Sequence, residues 1–203
     1  MKKILFRDFA GQEIYYSTHV FFLTEKSIYL IVGNMVKIME KGKELNRVLY
    51  WINTIKARVM NPEFIFVGTH LDSFEEKKLN YDEFISFIEK ETKINREYII
   101  GISSQSGKNV DKLLELLKNK GLEMPMINEI FPKIYLDLKI KMEEVCKQKY
   151  PPILTWNELK EKAKECNIVK EQELLRATNF LHILGFCLHF QKEKVFFLSL
   201  FLK

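Results

Sequence analysis

Apolar positions in this 203-residue chain change their spacing along its length, and each change predicts an element. Short apolar runs predict strands: Ile4-Leu5-Phe6, Phe64 to Val67 and Tyr98 to Ile102. Ser27 to Val32 is a continuous β-favouring run of the kind expected for a strand buried on both faces. Between these runs the spacing turns helical. From Glu44 to Val59 the apolar residues are Leu45, Val48, Leu49, Ile52, Ile55 and Val59, with the basic residues mostly off that stripe. Phe84, Ile85 and Ile88 predict a helix between Tyr81 and Thr92, and a leucine-rich helix follows over Val110 to Leu117. Gly33-Asn34 and Pro62 punctuate the pattern. Strands alternating with helices predict an α/β fold, a parallel sheet with helices on both faces. Ligands of such sheets sit beyond the carboxyl ends of the strands, so the loops after residues 7, 67 and 102 are where chemistry is expected.

The pattern changes after Gly121 to Met126, the best linker, and two domains are expected at 1–122 and 123–203. Ile127 to Lys147 is a long helical stretch, broken by Tyr150-Pro151-Pro152. Thr155-Trp156-Asn157-Glu158 reads as a capping box, in which a hydroxyl and a carboxylate satisfy free amides at a helix start. Another helix over about Glu171 to Leu184 stops at Gly185. Phe186 to Phe190 and Val195 to Leu202 flank Gln191 to Lys194 as a hairpin. The second domain is thus expected to be small and helical with a β-hairpin.

Composition narrows the function classes. Hydrophobic residues are 47% and charged residues 29%, enough apolar surface for a core. The net charge of +5 is spread evenly: 19 basic and 16 acidic side chains lie in residues 1 to 120, and 13 and 11 beyond. No basic stripe is present to grip a nucleic acid, and Glu158, Glu161, Glu165, Glu171 and Glu173 argue against a nucleic-acid role for the later helices. Cys146, Cys166 and Cys187 lie far apart, without metal-ligand spacing, and read as reduced thiols of a cytoplasmic protein. No apolar run is long enough to span a bilayer.

Three loops carry candidate chemistry. Asp8-Phe9-Ala10-Gly11-Gln12-Glu13 puts a carboxylate, a glycine amide and an amide side chain at one strand tip. Such a tip can hold Mg²⁺ through water, bond a terminal phosphate and orient an attacking water; the plainer alternative is a strand followed by an acidic turn. In Gly68-Thr69-His70-Leu71-Asp72 a carboxylate can accept two hydrogen bonds from the N1 and N2 edge of guanine, which adenine cannot supply. His70 can lie along that base and Thr69 support the loop, or Asp72 can simply cap the next helix with His70 at an exposed tip. In Ser103-Ser104-Gln105-Ser106-Gly107 the small residues let backbone amides reach a ligand carbonyl, and Asn109 can cap the following helix.

In that order the three loops resemble the third, fourth and fifth nucleotide motifs of Ras-like GTPases. Tyr15 to His19 with Phe21 to Thr24, and the Thr-His-x-Asp form of the base motif, resemble the Roc (Ras of complex proteins) domain of the Roco family. Pro151-Pro152, Trp156 and Phe180 to Gly185 are similar to the start of the COR module that follows Roc. The resemblance implies a Ras-like P-loop GTPase sheet followed by a winged-helix-like domain, acting as a GTP-binding, GTP-hydrolysing regulatory module. It implies GTP or GDP with Mg²⁺, leucine-rich-repeat or kinase domains in the same protein, and a homodimer formed through a later part of COR. By position, Asp8 would hold Mg²⁺ through water, Gly11 would contact the terminal phosphate and Gln12 would orient the attacking water. Asp72 would read guanine, His70 would take the stacking place usually held by lysine, and Ser104 would offer its amide to the guanine carbonyl. Thr69, Ser103 and Gln105 complete the two base motifs.

The chain departs from this family in lacking its phosphate loop and its threonine-bearing first switch, and its COR part is short. No G-x-x-x-x-G-K-[ST] occurs in it; Gly101 to Lys108 has one residue too many between its glycines, and Lys108 reads as a solvated turn residue. The first run then corresponds to the family's third strand, and the sheet is incomplete. Either Ile4–Phe6 and Ile28–Val32 are neighbours, or Ile28–Val32 has an open edge. Without a phosphate loop these residues alone are expected to hold Mg-GTP weakly. The competing expectation is a degenerate Roc-COR scaffold that binds no nucleotide.

Overall fold

The computed structural model describes residues 6–9, 16–40, 42–124, 131–190 and 195–198. In chain order its elements are α1 (Tyr16–His19), β1 (Ile28–Asn34), α2 (Met35–Met39), α3 (Lys43–Lys56), β2 (Glu63–Thr69), α4 (Leu71–Glu76) and α5 (Tyr81–Thr92). They continue with β3 (Ile99–Gly101), α6 (Val110–Glu123), α7 (Lys133–Gln148), β4 (Ile153–Thr155), α8 (Trp156–Glu165), α9 (Glu171–Ile183), β5 (Cys187–Phe190) and β6 (Val195–Leu198). Two compact units result. Residues 25–40 and 42–124 belong to one, and residues 6–9 and 16–24 belong with 131–190 and 195–198 to the other.

The first unit is built on a parallel sheet in the order β1-β2-β3. Ile28 to Asn34 pair in step with Glu63 to Thr69, and Phe66 to Gly68 with Ile99 to Gly101. β2 lies in the middle, and Phe64 through Gly68 are buried on both faces. β1 differs from its expectation. Tyr29, Ile31 and Gly33 face the core, but Val32 is 58% exposed. An apolar strand is buried twice only if layers cover both its faces, and the cluster of Ile65, Val67, Ile102 and Leu117 reaches only as far as Ile28 and Leu30. The outer edge of β1 pairs with no strand among the described residues. Ile4 and Leu5 of the first apolar run lie outside the described residues, and Phe6 carries no ladder.

Gly33, Gly68 and Gly101 stand in register across the three strands. A Cβ on Gly68 would lie 2.6 Å from Met35 Cγ, and one on Gly101 3.0 Å from Met35 Sδ and 2.9 Å from Tyr81 Cε2. The missing side chains of Gly68 and Gly101 make the seat that Met35 fills, while Ile38 lies against Gly33; Met35 and Ile38 are fully buried. They ride on α2, a five-residue helix absent from the sequence expectation. It is too short to show a helical period, and Asn34 starts it by accepting the Lys37 N–H at 3.1 Å. Phe66, Phe74 and Phe84 close the core under this seat, and burying each contributes about 1.5–3 kcal/mol.

α6 runs past the expected stop at Leu117 and takes Gly121 inside the helix, so the linker starts later. A helical glycine costs about 1 kcal/mol. Its last turn is held by Lys120, whose ammonium pairs with Glu63 at 2.8 Å and sits 3.9 Å from the Tyr98 ring centroid.

The second unit wraps α7, α8 and α9 around Leu138, Met142, Leu154, Leu159, Ala163, Ala177 and Leu181, with an antiparallel sheet in the order β4-β6-β5 beside them. This is the winged-helix-like arrangement expected. The capping box forms: Glu158 N–H donates to Thr155 Oγ1 at 3.3 Å, and Thr155 N–H to Glu158 Oε2 at 2.7 Å. β4 is an addition; three residues after two prolines are too few to show an alternation. Among the described residues no helix is long and apolar enough to cross a membrane.

Candidate functional site

The loops after β2 and β3 are knitted together by backbone bonds that continue beyond the strands. Ile102 N–H donates to the Gly68 carbonyl at 2.7 Å, and Leu71 N–H to the Ile102 carbonyl at 3.1 Å. His70 turns the chain between them with φ +63°, a left-handed conformation that histidine tolerates better than most residues. Thr69 Oγ1 donates to the Gly33 carbonyl at 3.4 Å and so accepts from His70 Nδ1 at 3.0 Å, which leaves Nε2 outward on an exposed ring.

Asp72 sits in the first turn of α4, where a negative charge is favoured. It is not the helix's capping residue; that position belongs to His70. A hydrogen bond from the Ser103 hydroxyl, above all, holds the Asp72 carboxyl below its ordinary value, with Ser73 adding a weaker one at 3.3 Å. The carboxylate is therefore ionised at neutral pH and tied to the other loop. Ser103 is fully buried, and its Oγ accepts the Ser106 N–H at 3.2 Å. Ser103 N–H donates to the Lys108 carbonyl at 3.1 Å and Gly107 N–H to the Ser103 carbonyl at 3.0 Å, closing the loop into a tight ring. Ser104 and Gln105 stand exposed on that ring, and among the described residues neither amide donates a hydrogen bond.

Two expectations change here. Asn109 does not cap α6; its Nδ2 donates to the Gly101 carbonyl at 2.9 Å, anchoring the end of β3. Lys108 is not a free turn residue. Its ammonium meets both Glu75 oxygens at 2.6 and 2.8 Å, clasping the loop to α4. A pair 33 residues apart leaves no mark in local sequence.

The structure thus brings Thr69, His70, Asp72, Ser103, Ser104 and Gln105 to one end of one sheet. Asp8 is exposed, on a stretch from Phe6 to Phe9 without regular structure. Gly11 and Gln12 lie outside the described residues. Among the described residues no three or more His, Cys, Asp or Glu side chains gather as a metal site.

Comparison with known proteins agrees with this layout. Residues 1–72 match the model of the "Ras of Complex, Roc, domain of DAPkinase", and residues 132–203 that of the "C-terminal of Roc, COR-A domain". The chain is 35% identical over 192 residues to the probable serine/threonine-protein kinase pats1 of Dictyostelium discoideum, covering 92% of this chain and 6% of that protein. It is 32% identical to the probable serine/threonine-protein kinase roco5 of the same organism, covering 92% of this chain and 7% of the relative. The chain therefore spans a small part of the length of the relatives it matches. A solved structure of Methanosarcina barkeri Roco2 RocCORdC bound to GDP superposes with a TM-score of 0.69 at 20% identity, covering 95% of this chain and 55% of the other. The ordered motifs, the two matched models and the shared fold place this chain in the Roco family, as a Roc-COR module.

Proposed function

We propose that these residues read guanine for a GTP-binding and GTP-hydrolysing regulatory module of a Roco protein, divided as Roc over 1–122 and COR over 123–203. One observation carries the reading: the backbone bonds from Ile102 to Gly68 and from Leu71 to Ile102 bring Asp72 and the exposed Ser104 to the same end of the sheet. The carboxylate accepts the N1 and N2 hydrogens of guanine, and the Ser104 amide donates to its carbonyl. Adenine presents neither pattern, so a site built for these bonds rejects it. His70, with its outward Nε2, and Gln105 flank the base, while Thr69 fixes the loop under it. The GDP of the Roco2 structure is consistent with this assignment.

Gly11 and Gln12 take the phosphate side, with Gln12 orienting the attacking water. Asp8 is exposed and would hold Mg²⁺ through water. The ion, when bound, offsets phosphate charge. The absence of a G-x-x-x-x-G-K-[ST] within these residues makes them weak nucleotide binders alone and supports the second reading, a scaffold that binds none. Cytoplasmic placement, kinase or leucine-rich-repeat domains in the same protein and dimerisation through later COR residues belong to the same proposal.

Calorimetry on the full-length protein decides between the two. Guanine-specific binding that Asp72→Ala abolishes supports the first reading; no binding of GDP or GTP at micromolar protein supports the scaffold.

A further inference from the structure

We infer that Arg7 latches the segment carrying Asp8 to the turn that ends α9, so the helical unit sets where that carboxylate stands. Residues 6–9 and 16–24 belong to the same compact unit as 131–198. Arg7 immediately precedes Asp8, and its guanidinium fills the space in front of Gly185: a Cβ there would lie 2.7 Å from Arg7 Cζ and 3.0 Å from Nη1. On its other side Arg7 stacks on Phe22, with Cζ 5.5 Å from the ring centroid, and Nη1 donates to the Phe22 carbonyl at 3.4 Å.

The turn is built to receive a cation. Gly185 adopts φ +74°, Phe186 N–H returns to the Leu181 carbonyl and Gly185 N–H to the His182 carbonyl, both at 2.8 Å. This is the Schellman arrangement, and it presents the partially negative carbonyl end of α9 to whatever approaches. Only glycine leaves room for a planar guanidinium there. The positive charge is close enough to act on the Cys187 thiol in the next strand, although burial dominates that group.

One peptide link separates the Arg7 and Asp8 side chains, so a shift of the α9 turn is passed to the Asp8 tip. The base-reading loops belong to the other unit and are held by their own bonds. The role given to Asp8 rests on the proposed function; the latch does not.

Hydrogen exchange of the chain, read at residues 6–9 and 16–24, tests the latch without nucleotide, so it fails independently of the guanine reading. Arg7→Ala removes the bolt. Gly185→Asn removes the socket with a residue that tolerates positive φ. Each is expected to raise exchange in these residues about tenfold, the double variant no further, while residues 63–69 keep their protection. Unchanged exchange in Arg7→Ala, or effects that add in the double variant, overturns the latch. If Gly185→Asn also exposes α8, Arg7→Ala decides alone: a rise confined to 6–9 and 16–24 supports the latch, and any other outcome overturns it.

Discussion

The base-reading loops and the Asp8 segment are held in opposite ways. Around Asp72 and Ser103 several ties gather at one sheet end: extended ladder bonds, a buried hydroxyl, a clasp from Lys108 to Glu75. Around Asp8 the described ties are side-chain contacts of its neighbours: the Arg7 guanidinium on the Phe22 ring and at the turn after α9, and the Phe9 ring 5.0 Å from that of His19. Recognition of a base needs a fixed pattern of donors and acceptors, and redundancy supplies it. On the proposed function, sensing a phosphate that comes and goes needs a part that can be displaced, and side-chain contacts yield more readily than ladder bonds.

The largest effect that would break this contrast is at Asp72. In the full-length protein Asp72→Ala should lower guanine affinity on the order of 100-fold or more, since two hydrogen bonds to a charged group are lost. Its thermal unfolding should barely move, because the carboxylate is only partly buried. Competition between GDP and ADP measures the first and calorimetry the second. A guanine preference that survives would remove the reading altogether.

Ser103→Ala sharpens it. The hydroxyl is buried and accepts the Ser106 amide, so its removal should destabilise the first unit by about 1–2 kcal/mol and weaken guanine binding about tenfold. Asp72 should then titrate nearer its ordinary value. Its present depression means its tie to Ser103 is complete above the ordinary carboxylate value and is lost as pH falls through the lowered one. Carboxyl NMR titration of parent and variant checks the direction.

The other unit, on which Arg7 leans, is probed at its capping box. Thr155→Ala should cost about 1 kcal/mol, seen as earlier unfolding of the helices around Trp156 by fluorescence. Bonds from Lys149 first, and then Thr155, pull the Glu158 carboxyl down to about 2. Its contribution should therefore be whole above about 4.5, the ordinary value, and vanish as pH falls toward about 2.

Smallest of all should be Lys108→Ala. The pair with Glu75 is half exposed, and such pairs contribute about 0.2–1 kcal/mol. Guanine affinity should fall less than about fivefold and become less sensitive to salt.

How much of this was legible beforehand depended on whether the cause was local. β2, α5 and the capping box declare themselves because a run of Phe64 to Val67, a stripe of Phe84, Ile85 and Ile88, and the pair Thr155 and Glu158 each carry their own signal. The base motifs were readable for the same reason, as short loops at strand ends. β4 needs β6 to exist, and α2 is fixed by Met35 fitting a seat made by two strands. The exposure of Val32 depends on a layer that does not extend over it, and a run of apolar letters cannot report that. Lys108 with Glu75, and Arg7 with Gly185, are meetings of distant residues, invisible until the chain is folded.

The in-register glycines carry one more consequence, about which of them the protein can spare. Distance alone ranks Gly68 as the most confined, with its added carbon 2.6 Å from Met35 Cγ, ahead of Gly33 at 2.9 Å from Ile38 Cδ1. Compliance keeps the ranking. Met35 Cγ lies next to its own backbone and moves only if χ1 changes in a fully buried side chain, whereas the atom met at Gly33 is the terminal Cδ1 of Ile38, which turns about χ2. Alanine is therefore better borne at Gly33 than at Gly68: what a crowded position tolerates is set by which atom of the neighbour must yield.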